Sequence, residues 1–391
     1  MQQKQQKQKQ QWVAAWTAAP QQPSTGFTPN WSQQGFSHQS VRQVVRVTEA
    51  GSSVRVRLSN AYGTAPLRIT GATVARGDGG AAVRPGSVVP LTFDGARSAE
   101  IPARGQLAGD PAELALKAGE SVTVTLYFAG TTGPATFHAQ GFTDSYRAAG
   151  DRLDDVSGAA FTERTESWYY LAGVDVGGGA GGGAVALFGD SITDGFGSTP
   201  GADRRWSDAL AARVDRPVLN AGIGGNLVLN DSAWYGERGT ARFGRDVLDQ
   251  PGVSTAVILQ GLNDIGFSEA QAQGYDRPTF FPAPVVSAGE LIAGHRELIR
   301  QARARGVRAV GATLLPLKGS DHWGPHAARV SDEVNRWIRT SGEYDGYVDL
   351  DKALAAKSDP DRLAEAYDSG DALHPNDAGY ARMAQELARV L

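Results

Sequence analysis

The sequence predicts an antiparallel β-sandwich followed by a flavodoxin-like, doubly wound α/β/α domain on five parallel strands. Three observations carry that reading. From Trp12 to about Val176, apolar and polar residues alternate in short runs, with no stretch of helical period. From Gly177 to Gly183 the chain is glycine broken only by Ala180. Beyond it, short apolar runs alternate with segments of helical spacing, the pattern of a parallel sheet with helical crossovers.

Bulk properties narrow the classes. A chain of 391 residues exceeds one ordinary core, so two domains are expected. Hydrophobic residues at 41% and charged residues at 20% are globular values, and a net charge of −4 gives no electrostatic basis for nucleic-acid binding. Nothing is apolar for long enough to cross a bilayer as a helix. Cysteine is absent, which removes disulfides, Cys-ligated zinc and a thiol nucleophile. Residues 1–11 are a Gln/Lys tract that can bury nothing and reads as a disordered tail. It has no apolar segment of an export signal. A mature secreted protein with its leader replaced is the expectation, with a cytoplasmic location left open.

In chain order, Val44–Val47, Ser53–Ser59, Leu67–Ile69, Val88–Phe93 and Glu120–Tyr127 are the strand candidates, and a jelly-roll is the expected form of the sandwich over 12–176. The glycine tract, 177–183, reads as a flexible linker spanning on the order of 15 Å. Residues 184–391 then form the second domain. Ala184–Phe188 is its first strand, apolar throughout because both faces are buried. Asp203 is a candidate cap for a helix burying Trp206, Leu210 and Val214. Pro217–Asn220 and Thr255–Gln260 are the next strands. Ser287 and Glu290 form a capping box for a helix that stops at Gly306. Val307–Leu314 and Tyr347–Leu350 complete the sheet, and Asn376 caps the last helix.

In such a sheet, ligands bind beyond the C-terminal strand edge. The first strand ends there in Gly189-Asp190-Ser191, which sets the Ser191 hydroxyl in the crevice with its N–H at a helix start. Alone, Gly-Asp-Ser is an ordinary turn signal, and Asp371-x-x-His374 alone is equally a capping turn or half a metal site. Together they are more. Asn220-Ala221-Gly222-Ile223-Gly224-Gly225 follows the second strand, Gly261-Leu262-Asn263-Asp264 the third, and Asp371-Ala372-Leu373-His374-Pro375 lies near the C-terminus. Four blocks in this order resemble the SGNH, or GDSL-type, hydrolases, a family of esterases and lipases. The resemblance covers about residues 184–391 and implies the same flavodoxin-like fold.

By that resemblance Ser191 is the nucleophile, with His374 as base and Asp371 orienting it. The oxyanion hole would be the N–H groups of Ser191 and Gly225 and the Asn263 side chain. The chemistry is acyl transfer through a covalent acyl-enzyme, with no cofactor and no metal. Glycine at 225 suits a backbone that approaches the reacting carbonyl. Asp194 and Asp264 are expected to hold loops by accepting backbone N–H bonds. No Gly-x-Ser-x-Gly elbow and no His-Glu-x-x-His are present.

The expected substrate is a small-molecule or glycan ester of a short acyl or acetyl group, with carbohydrate acetylesterase as the alternative. A reading of another class is an inactive scaffold carrying a carbohydrate-binding sandwich. Aromatics in the segment 265–286 (Phe267, Tyr275, Phe280, Phe281) and in the loop after strand two (Trp234, Tyr235, Phe243) are candidate pocket walls. His322 or Trp323 is expected to line the pocket, whereas His322 and His326 are disfavoured as a metal pair because Gly324-Pro325 interrupts them. His295 reads as a structural, partly buried histidine, and His38 and His138 as histidines without identifiable partners. Asn60, Tyr62, His138 and Gln140 are the candidates by which the sandwich would reach the pocket.

Overall fold

A computed structural model describes residues 11–179, 183–272 and 284–391. The N-terminal part is a sandwich of two antiparallel sheets. One contains Trp12–Thr17, Leu171–Gly177, Ser53–Ser59 and Gln106–Ala108 in that spatial order. The other runs Glu163–Thr165, Ser145–Ala149, Gln39–Arg46, Ser121–Phe128, Gly71–Arg76 and Val89–Pro90. The first strand pairs with the last, and Gln39–Arg46 pairs with Ser145–Ala149, the wrapped pairing expected of a jelly-roll-like sandwich. Period two explains the core: Val54, Val56 and Leu58 face Val122, Val124 and Leu126 in one buried cluster. On the opposite face Arg55 and Arg57 both pair with Asp175.

Two sandwich expectations need correction. The strand read over 88–93 shortens to Val89–Pro90, since Pro90 cannot donate to a ladder. Gly177, read as the start of the linker, pairs with Trp12 and Ser53 as the final residue of a strand. Residues 180–182 of the glycine tract and 1–10 of the tail lie outside the described residues.

The C-terminal part is the expected five-stranded parallel sheet, in the spatial order Val218–Gly222, Ala184–Gly189, Val253–Leu259, Arg308–Ala312, Gly346–Val348. In chain order this is 2-1-3-4-5, so the topology reverses beside the first strand, where the crevice of such a sheet forms. The helix Ala288–Ala304 begins at the predicted capping box, Ser287 Oγ accepting from Glu290 N at 3.2 Å and Glu290 Oε2 from Ser287 N at 2.8 Å. Asn376 Oδ1 caps Asp377–Ala388 by accepting from Gly379 N at 2.9 Å.

Asp203 does not cap. The helix it was assigned to is Trp206–Ala211, where Arg205 holds the cap position and Asp208 reaches back to Arg205 N at 3.1 Å. Asp203 sits before it with φ of 51°. The segment 265–286 begins within a helix. A helix, Leu262–Ala272, starts directly after the third strand and buries Ile265 and Phe267.

The strand Val218–Gly222 is an edge strand, and the sandwich covers it. Val218 N donates to Thr48 Oγ1 at 3.1 Å, and Ala14 N donates to Pro251 O at 2.9 Å nearby. Covering an edge removes a row of open donors and acceptors.

At the other end of that strand Arg242 is fully buried. It donates to Ala221 O at 2.9 Å, Gly189 O at 2.8 Å and Asn226 Oδ1 at 2.9 Å. Asp246 neutralises it at 3.1 Å, and the Phe188 ring lies 4.2 Å from its guanidinium carbon. Removing one partner of such a pair leaves a buried charge unpaired, which costs about 3–5 kcal/mol. Arg242→Met is therefore expected to lower unfolding free energy by about that amount, read from guanidinium midpoints at constant slope.

Candidate active site

The first parallel strand ends at Gly189, where a side chain would lie 2.3 Å from Leu259 O and from Thr193 Oγ1, so glycine is required. Asp190 then caps a one-turn helix, Ser191–Asp194, accepting from Ile192 N at 3.1 Å. Burial pushes the Asp190 carboxyl up to about 6. Ser191 Oγ lies 2.8 Å from His374 Nε2, and His374 Nδ1 lies 2.6 Å from Asp371 Oδ2. Asp371 Oδ1 also accepts from Leu373 N at 2.9 Å and His374 N at 2.8 Å. Partial burial works to raise the Asp371 carboxyl, but the hydrogen bonds and charge from His374 and these two amides outweigh it. The carboxyl is held well below the usual carboxylate range. The loop is fixed at Pro375, which bridges to Asp368.

Three donors make up the expected oxyanion set. Neither Ser191 N nor Gly225 N gives its hydrogen to an acceptor among the described residues. Gly225 has φ of 73°, and a side chain there would lie 2.2 Å from the Tyr235 ring, so only glycine fits. Asn263 Nδ2 gives one of its two hydrogens to Asn226 O at 3.1 Å, which leaves the other for a ligand. Of the expected constellation, hydrogen bonds join Ser191, His374 and Asp371, while Gly225 follows the second strand and Asn263 lies in the first turn of the helix after the third.

A residue whose role the sequence did not disclose fixes the asparagine. His322 Nε2 lies 3.2 Å from Asn263 Oδ1, and its Nδ1 lies 2.7 Å from Asp321 Oδ1. That contact sets which end of the amide faces the crevice. Gly266 makes room for the ring, since a side chain there would sit 2.1 Å from it. Asp321-His322, in the segment between the fourth strand and the helix Pro325–Thr340, is the only local signal for this pair. His326, four residues on, faces Ser268 Oγ and Val286 O, each at 2.9 Å. Among the described residues no cluster of three His, Cys, Asp or Glu side chains has metal-binding geometry.

Asp264 accepts from Val228 N at 2.8 Å and Leu229 N at 3.2 Å, and Asp194 accepts from Gly224 N at 3.1 Å, the loop-holding roles expected of them. Burial pushes the Asp264 carboxyl up to about 7.

Other placements differ. His295 is wholly buried, bonded to the Tyr344 hydroxyl at 2.6 Å and near Gln260 O at 3.1 Å, and burial holds its ring down at about 4. Phe243 is not a pocket wall. It lies on the helix Gly239–Phe243 and packs behind the sheet, 4.9 Å from the Phe188 ring. Asn60 turns inward onto Ala65 O, Ile101 O and Pro102 O, and Tyr62 faces Arg245, so neither reaches the site. Tyr235 and Phe267 pack together at 5.8 Å beside Gly225, and Phe27 from the sandwich stacks on Tyr235 at 5.4 Å. Tyr275, Phe280 and Phe281 lie outside the described residues.

His138 is the main correction. It has two partners, Ala19 O at 2.8 Å and Asp194 Oδ1 at 3.0 Å. Its strand alone gives no hint, because the carboxylate lies in the other half of the chain. The sandwich therefore grips the nucleophile helix, and through Asp194 the glycine loop at 224. Both neighbours of the ring only accept, so both ring nitrogens carry protons.

The sequence pattern of the GDSL-like lipase/acylhydrolase family matches residues 187–382, and the chain belongs to that family. It is a carboxylic ester hydrolase. Solved structures with a similar fold include a lipolytic protein of the G-D-S-L family from Desulfitobacterium hafniense. That protein is 20% identical, covers 53% of this chain and 99% of its own, and has a TM-score of 0.40. An acetylxylan esterase from Geobacillus stearothermophilus is 24% identical over 53% of this chain and 93% of its own, at a TM-score of 0.39. A GDSL-like lipase from Bacteroides thetaiotaomicron is 16% identical over 53% and 86%, also at 0.39. No curated protein matches the chain.

The His138 pair makes stability depend on pH. Burial works to lower its pKa, but the charge and hydrogen bond of Asp194, with Ala19 O, outweigh it and raise the ring above its ordinary value. A histidine raised on folding stabilises in full below its unfolded pKa and loses that contribution as pH rises through the folded one. His138→Gln is expected to cost about 3 kcal/mol at pH 5.5 and measurably less at pH 9.5, in parallel urea titrations. Equal losses at both pH values would remove the imidazolium.

Proposed function

We propose that the chain hydrolyses esters of short acyl groups, acetyl foremost, through an acyl-enzyme on Ser191. The observation that carries this reading is the unbroken path from Asp371 to His374 to the Ser191 hydroxyl, at 2.6 and 2.8 Å, with the Ser191 and Gly225 N–H groups left without an acceptor among the described residues. A serine hydroxyl needs such a base to become nucleophilic. In the first step Ser191 Oγ attacks the ester carbonyl carbon while His374 Nε2 takes the hydroxyl proton. The oxyanion is received by Ser191 N, Gly225 N and the free hydrogen of Asn263 Nδ2, donors already held in place. His374 then gives its proton to the departing alkoxide, and the acyl group stays on Ser191. Water, deprotonated by His374, attacks the acyl carbon, and the acid leaves as Ser191 recovers its proton. Asp371 stays ionised throughout and holds His374 with Nε2 toward the serine. An inactive binding scaffold would have no need of a satisfied Asp371–His374 pair aligned on a serine.

Ser191→Ala is expected to abolish release of nitrophenol from 4-nitrophenyl acetate, and full activity in that variant would refute the scheme. Asn263→Ala is expected to lower kcat by roughly a hundredfold, with KM changing little, because that donor acts on the transition state.

A further inference from the structure

The proton that frees the alcohol comes from His374, so the alcohol half of the ester must lie on the His374 side of Ser191. On that side the two parts of the chain enclose a cleft of about 580 Å³. The hydrolase part contributes Phe196, whose ring lies 4.4 Å from that of His374, with Ser369 and Asp371. The sandwich contributes Gln140, Phe142 and Glu166.

Two features mark the sandwich wall as built for a ligand. Phe142 has φ of 51°, and a bulky residue in the left-handed region is held there at a cost of about 1–3 kcal/mol. The strained turn sets its ring 6.4 Å from Phe196, near perpendicular, as one continuous apolar wall. Gln140 is only 5% exposed, yet its side-chain amide makes no hydrogen bond to any of the described residues. It sits against the glycine loop, where a side chain at Gly224 would lie 2.0 Å from its Oε1. The amide is open to the cleft, and a ligand that covered it without a hydrogen bond would leave it unpaired at a cost.

Building on the esterase reading, we infer that this cleft is a subsite for a sugar ring and that the natural alcohol is a carbohydrate. An alkyl chain would leave the Gln140 amide unpaired. A pyranose instead lays a C–H face on Phe142 and Phe196 and turns hydroxyls to Gln140 and Glu166. The fold thus makes the sandwich part of the specificity determinant.

The test is selectivity, the ratio of kcat/KM for an acetylated methyl pyranoside to that for ethyl acetate, whose alcohol is too small to span the cleft. Gln140→Ala and Phe142→Leu are each expected to lower the ratio about tenfold, the worth of one hydrogen bond or one stacking face. A ratio within twofold of wild type in both variants overturns the inference. Ser191→Ala separates this from the mechanism. If that variant still turns over both esters, the acyl-enzyme scheme fails. Calorimetric binding of the pyranoside to Ser191→Ala, abolished by adding Gln140→Ala, would still support the subsite, and binding insensitive to Gln140 would sink it.

Discussion

Two strands that end side by side at a topological reversal leave carbonyls pointing into a dry crevice floor, and everything above depends on satisfying them. The Arg242 guanidinium does so, spanning Gly189 O and Ala221 O while its third contact holds Asn226. Asn226 in turn presents its carbonyl to Asn263. One buried cation therefore fixes the root of the serine turn, the root of the glycine loop and the orientation of the side-chain donor. Such a group is tolerated only because every one of its contacts is made.

The sandwich enters the same network from the opposite side. His138 holds Asp194, Asp194 holds Gly224, and Gly224 precedes Gly225. A donor that must meet a charge developing in the transition state has to be held before the reaction begins. In the proposed mechanism Gly225 is such a donor, and its loop is gripped from below by Arg242 through Asn226 and from the flank by His138 through Asp194. The sandwich also shields the sheet edge at Val218. A glycine-rich joint between the two parts is compatible with this docking, because the contacts lie elsewhere.

His322 and His374 illustrate how one side-chain type serves two purposes. His374 is open to the crevice on the serine side and backed by a carboxylate held in the ionised form. His322 is buried against the amide oxygen of Asn263, where it orients a neighbour. Each ring is defined by what lies on its second nitrogen, Asp371 in one case and Asp321 in the other.

What the chain alone determined is whatever is written locally. Period-two runs gave the sandwich strands, the doubly buried Ala184–Phe188 gave a parallel strand, and Ser287, Glu290 and Asn376 gave helix starts, because each acts within a few residues of itself. The four blocks named the five expected site residues through the family resemblance, three of the blocks each following its own strand and the fourth lying near the C-terminus. Tertiary structure decided the rest. His138 meets Asp194 across 56 positions and His322 meets Asn263 across 59, and no periodicity reports such a meeting. Asp203 looked like a cap because its residue type permits it, but Asp208 competed for the same turn and won. Phe243 looked like a loop aromatic because nothing in its neighbourhood showed the Phe188 ring it covers. Long-range pairing is settled by which surfaces the completed sheets leave to be buried, and that exists only once they have formed.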